Sequence, residues 1–575
     1  MNSSDPGAPT GLPSRRQFLR GALALGLAAA GLAAAGCRVE PGAGRTQTPP
    51  SAGPRRGGTF SGLAAADPPS LDPYVSGSQG QAEFSAYSYS RLFMLKAGPN
   101  VARGSLEVVP DAAESVQVSP DGLTYTVRLR KNVAFHPPLD RAMTAEDVVF
   151  SWNRLTGRLP GSTPSVRAED IQMVEAVAAA DQYTVVFRLK NPYPFFLQKL
   201  ADPKVFFIMP KETGTAFNPA EKVVGSGPWV LQEFVPGKLA RFKRHPNWHL
   251  GPEIPYMDEV VVNVVPEYAT QLSQFLGGNL EWVVVQGPDL KRVVDTVRGA
   301  QIYERPPYPL SVLNFSPREA RWEDQRLRWA VSMALDRDAM LDAAYGLKEL
   351  ENQGFKVNRY WHTHIPAAFS EYWVDPKGPE MDPEAARYLK YNPEEARRLV
   401  QEAGGSFGTE LHFAAANSRY GEPYRVMSEL IVQYLSRVGI NVRATEEDYN
   451  SVFIPQTARG EFNGLMWIPQ TRVDPFAYLE TQYLITTNKI YGRWNDAQLR
   501  DRVRQIQTMV DPDRLRREIR GIQNELLKKM YVVPMPYGAG LTFTAYQPWV
   551  RNAVEYQTFG QGWPSECLPY YWLDR

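Results

Sequence analysis

Alternating apolar and polar positions within residues 108–155 predict a β-hairpin followed by a helix. A β-like run at residues 115–119 leads into Pro120-Asp121-Gly122, which is a turn signal because proline presets φ and glycine accepts a positive φ. The strand that follows alternates, and its apolar positions are Leu123, Tyr125, Val127 and Leu129. One face of the hairpin is therefore expected to be buried.

A helix is predicted directly after this hairpin. Thr144 is a good N-cap residue, and Asp147 stands at the third helical position, as in a capping box with Asp in place of Glu. The apolar face of the helix would consist of Val148, Val149, Trp152 and Leu155. The alternating pattern recurs at residues 181–189, so we expect a strand there to pair with the hairpin in one small sheet.

Two further stretches have the period of a helix. Residues 323–341 predict one amphipathic helix, because their apolar positions fall three and four residues apart. Residues 81–95 also have a helical pattern. Helix, glycine and strand follow one another over residues 424–444, which is typical of an α/β unit.

Two blocks of sequence resemble a known family. The text PDGLTYTVRLRKNVAFHPP at residues 120–138, followed by MTAEDVVFSWNR at 143–154, is similar to a hairpin and helix of the family 5 extracellular solute-binding proteins. WEDQRLRWAVSMALDRDAM at 322–340 resembles a second block of that family, and the resemblance extends over residues 57–575. It implies an α/β, two-lobed, periplasmic-binding-protein-like fold of type II, cluster C, with an extra inserted small lobe.

The resemblance also implies how the chain is divided. Domain I is expected to be discontinuous, comprising residues 57–95, 222–311 and 537–575. An inserted lobe of domain I would span 96–221, and domain III, the second ligand-binding lobe, would span 312–536. The ligand is expected between the lobes, enclosed by hinge closure.

The N-terminus has the features of an export signal. Arg15 and Arg16 resemble a twin-arginine pair, and the apolar run at 21–35 is shorter than the ~20 residues that a membrane helix needs. Cys37 follows a lipobox-like Ala-Ala-Gly, so residues 1–36 are predicted to be a twin-arginine signal peptide and Cys37 a lipidation site. Residues 37–56, rich in Pro, Gly, Ser and Thr, would form a flexible tether.

Composition removes several classes of function. The 575 residues carry a net charge of +1, which leaves no electrostatic footprint of a nucleic-acid-binding protein. The two cysteines, Cys37 and Cys567, would pair in an ordinary secreted protein, whereas lipidation of Cys37 would leave Cys567 as a lone thiol. The sequence has no HExxH, Walker A or dinucleotide motif, so no catalytic residue and no cofactor are expected.

The candidate ligand site centres on WIPQTRVDP, residues 467–475. The resemblance implies that an Asp of the family, which grips the α-ammonium of a peptide, is replaced here by Gln470. Asp474 matches the acidic residue before the proline and either takes over that contact or caps a turn. Trp467 could form a wall of the cleft, and Arg472 could meet a carboxylate or phosphate.

Two more ligand-binding candidates come from the same resemblance. Tyr74 follows the opening strand and a PPSLDP segment whose loop borders the cleft in the family. Asn314 lies on a strand that crosses into domain III. His362 and His364 on an extended segment would point to one side, but two histidines alone make a poor metal site, so no metal is predicted.

These features predict the substrate-binding component of an ABC importer. It would capture a peptide or peptide-like solute outside the cytoplasmic membrane, as a periplasmic or cell-surface protein anchored by lipidated Cys37. Expected partners are the membrane permease subunits and the twin-arginine export machinery, with no nucleic acid and a monomeric state. The alternatives are a binder of an oligosaccharide or a metal complex, and an exported hydrolase on the same scaffold.

Overall fold

A computed structural model gives the fold of the chain. It describes residues 53–76, 78–102, 104–139, 141–305, 307–415, 420–472, 474–485, 490, 494–536, 543–554 and 564–575. The predicted signal peptide, with Arg15, Arg16 and Cys37, lies outside these residues, and its assignment stays a prediction. All described residues belong to the unit Val39–Arg575.

Strands occur along the whole described chain. They are β1 (Thr59–Ala64), β2 (Phe93–Leu95), β3 (Val108–Pro110), β4 (Ala113–Val118), β5 (Thr124–Leu129), β6 (Val174–Asp181), β7 (Thr184–Leu189), β8 (Trp229–Val235), β9 (Leu239–Arg244), β10 (Glu259–Val264), β11 (Trp282–Val285), β12 (Gln301–Glu304), β13 (Leu310–Phe315), β14 (Phe407–Ala414), β15 (Ile440–Glu447), β16 (Leu465–Gln470), β17 (Val532–Pro534), β18 (Phe543–Tyr546), β19 (Val550–Arg551) and β20 (Trp572–Leu573).

Helices lie between these strands. They are α1 (Gln79–Ser88), α2 (Ala145–Leu155), α3 (Phe196–Ala201), α4 (Tyr268–Leu276), α5 (Leu290–Thr296), α6 (Gln325–Met333), α7 (Arg337–Tyr345), α8 (Leu347–Asn352), α9 (Pro383–Arg387), α10 (Pro393–Glu402), α11 (Glu422–Arg437), α12 (Pro475–Leu479), α13 (Ala497–Gln507) and α14 (Pro512–Lys529). Among the described residues, no helix combines the length and the apolar run that crossing a membrane requires.

The larger sheets draw their strands from different parts of the chain. One has the order β1-β10-β9-β8, a second β11-β18-β12, a third β4-β5-β7-β6, and a fourth, of five strands, β15-β14-β16-β13-β17. The β4-β5-β7-β6 sheet is antiparallel throughout, whereas β14 of the five-stranded sheet is parallel to both of its neighbours. The boundaries of domain I, the inserted lobe and domain III stay predictions.

The hairpin predicted from alternation is confirmed. β4 and β5 pair antiparallel, with Val116 opposite Val127, and β5 pairs with β7 as expected. Tyr125, Val127 and Leu129 are buried. α2 begins after Thr144, whose backbone N–H donates to Asp147 Oδ2 at 2.8 Å, the predicted reverse half of the capping box.

Two predicted helices end earlier than expected. Residues 323–341 form α6 and α7 rather than one helix, because the side chain of Asp336 caps the start of α7 by accepting from the Ala339 N–H. α1 ends at Ser88, and residues 93–95 form a strand. Gly225 contacts the end of α1 so closely that a Cβ there would overlap the Ser88 carbonyl oxygen.

Candidate functional site

Asp474 lies at the start of α12, in the segment where the sequence predicts a ligand site. Its Oδ1 accepts from the Ala477 N–H at 2.7 Å, so the carboxylate caps the helix. The side chain is fully buried. The capping role weighed from the sequence is therefore present, and it uses one of the two carboxylate oxygens.

The second oxygen of Asp474 contacts a distant part of the chain. Lys199 Nζ lies 3.4 Å from Asp474 Oδ2, and the Tyr193 hydroxyl donates to the same oxygen at 3.1 Å. Lys199 stands on α3, in the predicted inserted lobe, and its side chain is only 4% exposed. A buried charge is costly unless it is paired, so Lys199 and Asp474 depend on each other to remain in this position.

Glu480 adds a second carboxylate immediately after α12. Burial raises the pKa of Glu480 to about 7, an effect that Asp474 adds to and that Lys199 and Arg472 oppose. Burial also raises the pKa of Asp474, against the opposing ammonium of Lys199. We call Tyr193, Lys199, Asp474 and Glu480 the Lys199–Asp474 cluster.

Aromatic rings surround this cluster on both sides of the interface between the predicted lobes. They belong to Tyr193, Phe195, Tyr308, Phe369, Tyr372, Phe476 and Tyr478. Tyr193 meets Phe476 edge-on with ring centroids 5.5 Å apart, and Phe195 meets Tyr372 at 5.3 Å. Rings with a polar edge next to desolvated charges are typical of enclosed sites for small ligands.

Comparison with known proteins identifies the family. Residues 107–489, about two thirds of the chain, match the family described as "Bacterial extracellular solute-binding proteins, family 5 Middle". The chain belongs to this family. The resemblance drawn from the hairpin and helix blocks is thereby confirmed.

Individual relatives are distant in sequence and close in fold. Di/tripeptide-binding protein 3 of Pseudomonas aeruginosa is 22% identical over 484 residues, covering 79% of this chain and 85% of its own. The structure of HbpA2 from Haemophilus parasuis is 20% identical, with a TM-score of 0.75 over 90% of this chain and 100% of that one. NikA from Brucella suis, solved with Fe(III)-EDTA, is 20% identical, with a TM-score of 0.69 over 88% and 99%. The predicted α/β periplasmic-binding-protein-like fold is confirmed.

Gln470 and Arg472 of this solute-binding protein lie next to the cluster. Gln470 ends β16 opposite Leu310 of β13. The Arg472 N–H donates to the Tyr478 hydroxyl at 3.0 Å, and the Arg472 carbonyl accepts from the Tyr308 hydroxyl at 2.8 Å. Arg472 Nε donates to Thr481 Oγ1 at 3.2 Å. Both residues thus lie in the aromatic surroundings of Asp474.

The structure places Trp467 and Asn314 inside the five-stranded sheet β15-β14-β16-β13-β17. Trp467 is fully buried and stacks on Tyr424 of α11 at 4.2 Å. Asn314 is also fully buried on β13, where its Nδ2 lies 3.5 Å from the Met466 carbonyl. This packing gives both residues a structural role, and their contact with a ligand stays a prediction.

Tyr74 is tied to the backbone of another segment. Its hydroxyl donates to the Phe207 carbonyl and accepts from the Phe207 N–H, and the side chain is 7% exposed. Both hydrogen-bonding functions of the phenol are therefore used within the protein. A role for Tyr74 in ligand binding stays a prediction.

The histidines at 362 and 364 are completely buried. Burial lowers the pKa of each to about 3, which keeps both rings neutral. Across the described part of the chain, no group of three or more His, Cys, Asp or Glu side chains is arranged to hold a metal ion.

Sequence reasoning missed Tyr193, Lys199 and Glu480. One signal for Lys199 was available: on α3 it lies between Phe196 and Leu200 on the buried face, and a lysine on an apolar face needs a partner. That partner is 275 positions along the chain, since it is Asp474. No local sequence pattern could have identified Asp474 as the partner of Lys199.

Proposed function

We propose that this chain is the substrate-binding component of an ABC importer and captures a peptide or peptide-like solute by closing two lobes around it. The observation that carries this proposal is the buried Lys199–Asp474 contact between segments assigned to the inserted lobe and to domain III. Membership of the extracellular solute-binding family and the di/tripeptide-binding relative support it.

Closure follows from the energetics of this contact. If the lobes separate, the Lys199 ammonium and the Asp474 carboxylate each regain water, so an open state without cargo is accessible. A solute that touches both lobes stabilises the closed arrangement, and only such differential contact can shift the equilibrium. The aromatic rings at the interface supply apolar area for that purpose.

A non-peptide solute is the second candidate. Gln470 stands where the family resemblance implies an amine-gripping Asp, and the charge of Asp474 is already matched by Lys199. A cargo without a free α-ammonium would suit this charge balance. The Fe(III)-EDTA complex of the NikA structure illustrates such a ligand in a protein of this fold.

The cellular setting is proposed on sequence features. Export by the twin-arginine machinery would use Arg15 and Arg16, and lipidated Cys37 would anchor the monomeric protein outside the cytoplasmic membrane. The loaded form would then dock on the permease subunits. We further propose that the cargo is released chemically unchanged and that domain I, the inserted lobe and domain III divide the chain as assigned above.

The test starts with native mass spectrometry of the purified protein, to weigh any solute that copurifies. An equimolar set of di- and tripeptides, oligosaccharides and iron chelates is then offered to the ligand-free protein. Retention of peptides with unchanged mass is the expected result. Capture of only sugars or chelates would contradict the peptide assignment, and recovery of cleaved peptides would favour a hydrolase.

Variants of Lys199 and Asp474, with a matched control, test whether the Lys199–Asp474 cluster belongs to the binding site. Lys199→Met and Asp474→Asn should each weaken peptide retention about tenfold, because either change leaves a charge or a dipole unmatched at the interface. Asp501→Asn is the control, since Asp501 is 65% exposed and pairs only with Arg504 of its own helix in the described structure. Equal retention by all three variants would remove the cluster from the site.

A further inference from the structure

Two buried polar side chains of domain III lack the hydrogen bonds that their neighbours have. His364 is fully buried, and neither ring nitrogen has a partner among the described residues. Gln482 is 2% exposed, and neither its amide nitrogen nor its amide oxygen has a partner in the described chain. Buried polar groups are almost always hydrogen-bonded, so each exception calls for a reason.

Both side chains belong to segments beside the Lys199–Asp474 cluster. Gln482 lies in the short π-helix Glu480–Leu484 that follows α12. The ring of Tyr483, the next residue, is 6.4 Å from the ring of His364. The segment after His364 also runs along this site, because the ring of Phe369 lies 6.1 Å from that of Tyr478.

The same lobe provides hydrogen bonds for comparable buried side chains. Gln523 is fully buried, and its amide nitrogen donates to the carbonyls of Tyr372 and Ile519 at 2.7 and 2.8 Å. Its amide oxygen accepts from Thr363 Oγ1 at 2.5 Å. His362, two residues before His364, accepts from the Ala367 N–H at 3.4 Å. The protein therefore satisfies the buried Gln523 side chain fully and bonds one ring nitrogen of His362, whereas His364 and Gln482 have no such hydrogen bond among the described residues.

We propose that His364 and Gln482 form a recognition subsite for the amide groups of a peptide-like cargo. A neutral imidazole offers one donor and one acceptor, and a primary amide offers both as well. A peptide unit presents the complementary N–H and C=O. The low pKa of His364, about 3, keeps its ring in the neutral form that this pairing requires. The subsite rests on the proposed function, because it deepens the peptide assignment.

The experiment uses apolar replacements, which should weaken peptide binding while keeping or raising the stability of the ligand-free protein. His364→Leu and Gln482→Met remove polar atoms without partners in the described chain, so the ligand-free variants should melt at the same temperature as the wild type or higher. Retention of a tri-alanine probe should nevertheless fall about tenfold in each variant. His362→Leu and Gln523→Met are the matched controls, and they should lower the melting temperature because their bonded partners lose a hydrogen bond.

The possible outcomes distinguish a failure of the proposed subsite from a failure of the proposed function. Tri-alanine bound equally by wild type, His364→Leu and Gln482→Met would overturn the subsite and leave the peptide assignment intact. A wild type that retains no tri-alanine but captures a sugar or chelate would overturn both. A lower melting temperature in both variants would also overturn the subsite, since it would show that the two groups serve the fold.

Discussion

Two buried cations of this protein, Arg337 and Lys199, are stabilised in different ways. Arg337 lies within the predicted domain III, and its guanidinium donates to Ser332 O, Ser332 Oγ, Leu389 O and Pro534 O at 2.5–3.3 Å. Lys199 instead has an ion pair with Asp474, across the interface between the predicted lobes. If the lobes divide the chain as predicted, the contacts of Arg337 persist when the lobes move apart, whereas the Lys199–Asp474 pair requires them to be together. We therefore expect Arg337 to serve the stability of the fold and Lys199 to serve closure of the lobes.

The largest effect is expected from Arg337→Met. Four carbonyl or hydroxyl oxygens would lose their donor inside a folded lobe, at a cost of about 3 kcal/mol or more. Burial lowers the pKa of Arg337 to about 9, so the group is charged at neutral pH. The urea midpoint of unfolding measures the loss, and Arg504→Met, whose side chain is 60% exposed, is the control. A variant as stable as the control would show that the hydrogen bonds of Arg337 contribute nothing to the free energy of unfolding.

Asp474→Asn should have a smaller effect on unfolding and a visible effect on closure. Asparagine still caps α12, so the local helix is kept while the charge is removed. Lys199 would lose its counter-ion in the closed state, but it can regain water if the lobes part. We expect the radius of gyration of the ligand-free protein in small-angle X-ray scattering to increase. An unfolding loss equal to that of Arg337→Met, with an unchanged radius, would contradict the distinction between the two cations.

The sequence predicted those elements of the structure that depend on residues close together along the chain. The β4–β5 hairpin follows from strict alternation and a Pro-Asp-Gly turn, and the start of α2 follows from Thr144 and Asp147. The division of residues 323–341 was missed because the apolar spacing continues through Asp336, whose capping side chain nevertheless starts a new helix. Periodicity alone does not show which of two competing local signals wins.

The face on which a side chain lies could not be predicted for the five-stranded sheet. All six residues of β13 are buried, and β16 is buried at four of six positions. A strand covered on both faces has no alternation from which a cleft side can be identified. Trp467 was therefore a reasonable candidate wall, although it stacks on Tyr424 in the core. Asp474 was a candidate from the sequence, but its pairing with Lys199 could be found only from the tertiary structure.

Gly104→Ala offers a steric test of the same interface, with a moderate expected effect. A Cβ at Gly104, in the predicted inserted lobe, would overlap the carbonyl oxygen of Ala368, in the predicted domain III. Gly161 has a similar positive φ, 72° against 79° for Gly104, and nothing within 4 Å of its would-be Cβ. Both alanine variants would carry the same backbone strain of roughly 1 kcal/mol, because alanine disfavours a positive φ. The difference in retention between the two variants therefore reports only the contact between the predicted lobes. Gly104→Ala alone should weaken tri-alanine retention, and equal retention by both variants would show that the lobes do not meet there in the loaded state.

The smallest expected effect is a pH dependence that originates from Glu480. The folded protein raises the pKa of this carboxyl from about 4.5 to about 7 through burial, with Lys199 and Arg472 opposing and Asp474 reinforcing the shift. A raised folded-state pKa means that the folded chain holds the proton more tightly, so this contribution to stability is present at low pH and is lost as pH rises from about 4.5 to about 7. Because the side chain is partly exposed, the change in the free energy of unfolding should be only about 1 kcal/mol.

Urea unfolding of wild type and Glu480→Gln across this pH range measures the change, since the glutamine removes this one titration and leaves the histidines and the other carboxylates in place. Wild type should lose stability relative to Glu480→Gln as pH increases. Parallel curves would mean that Glu480 is as well hydrated as a surface carboxylate, and the cluster would then lack the desolvation that separates it from the exposed ion pairs of α13 and α14.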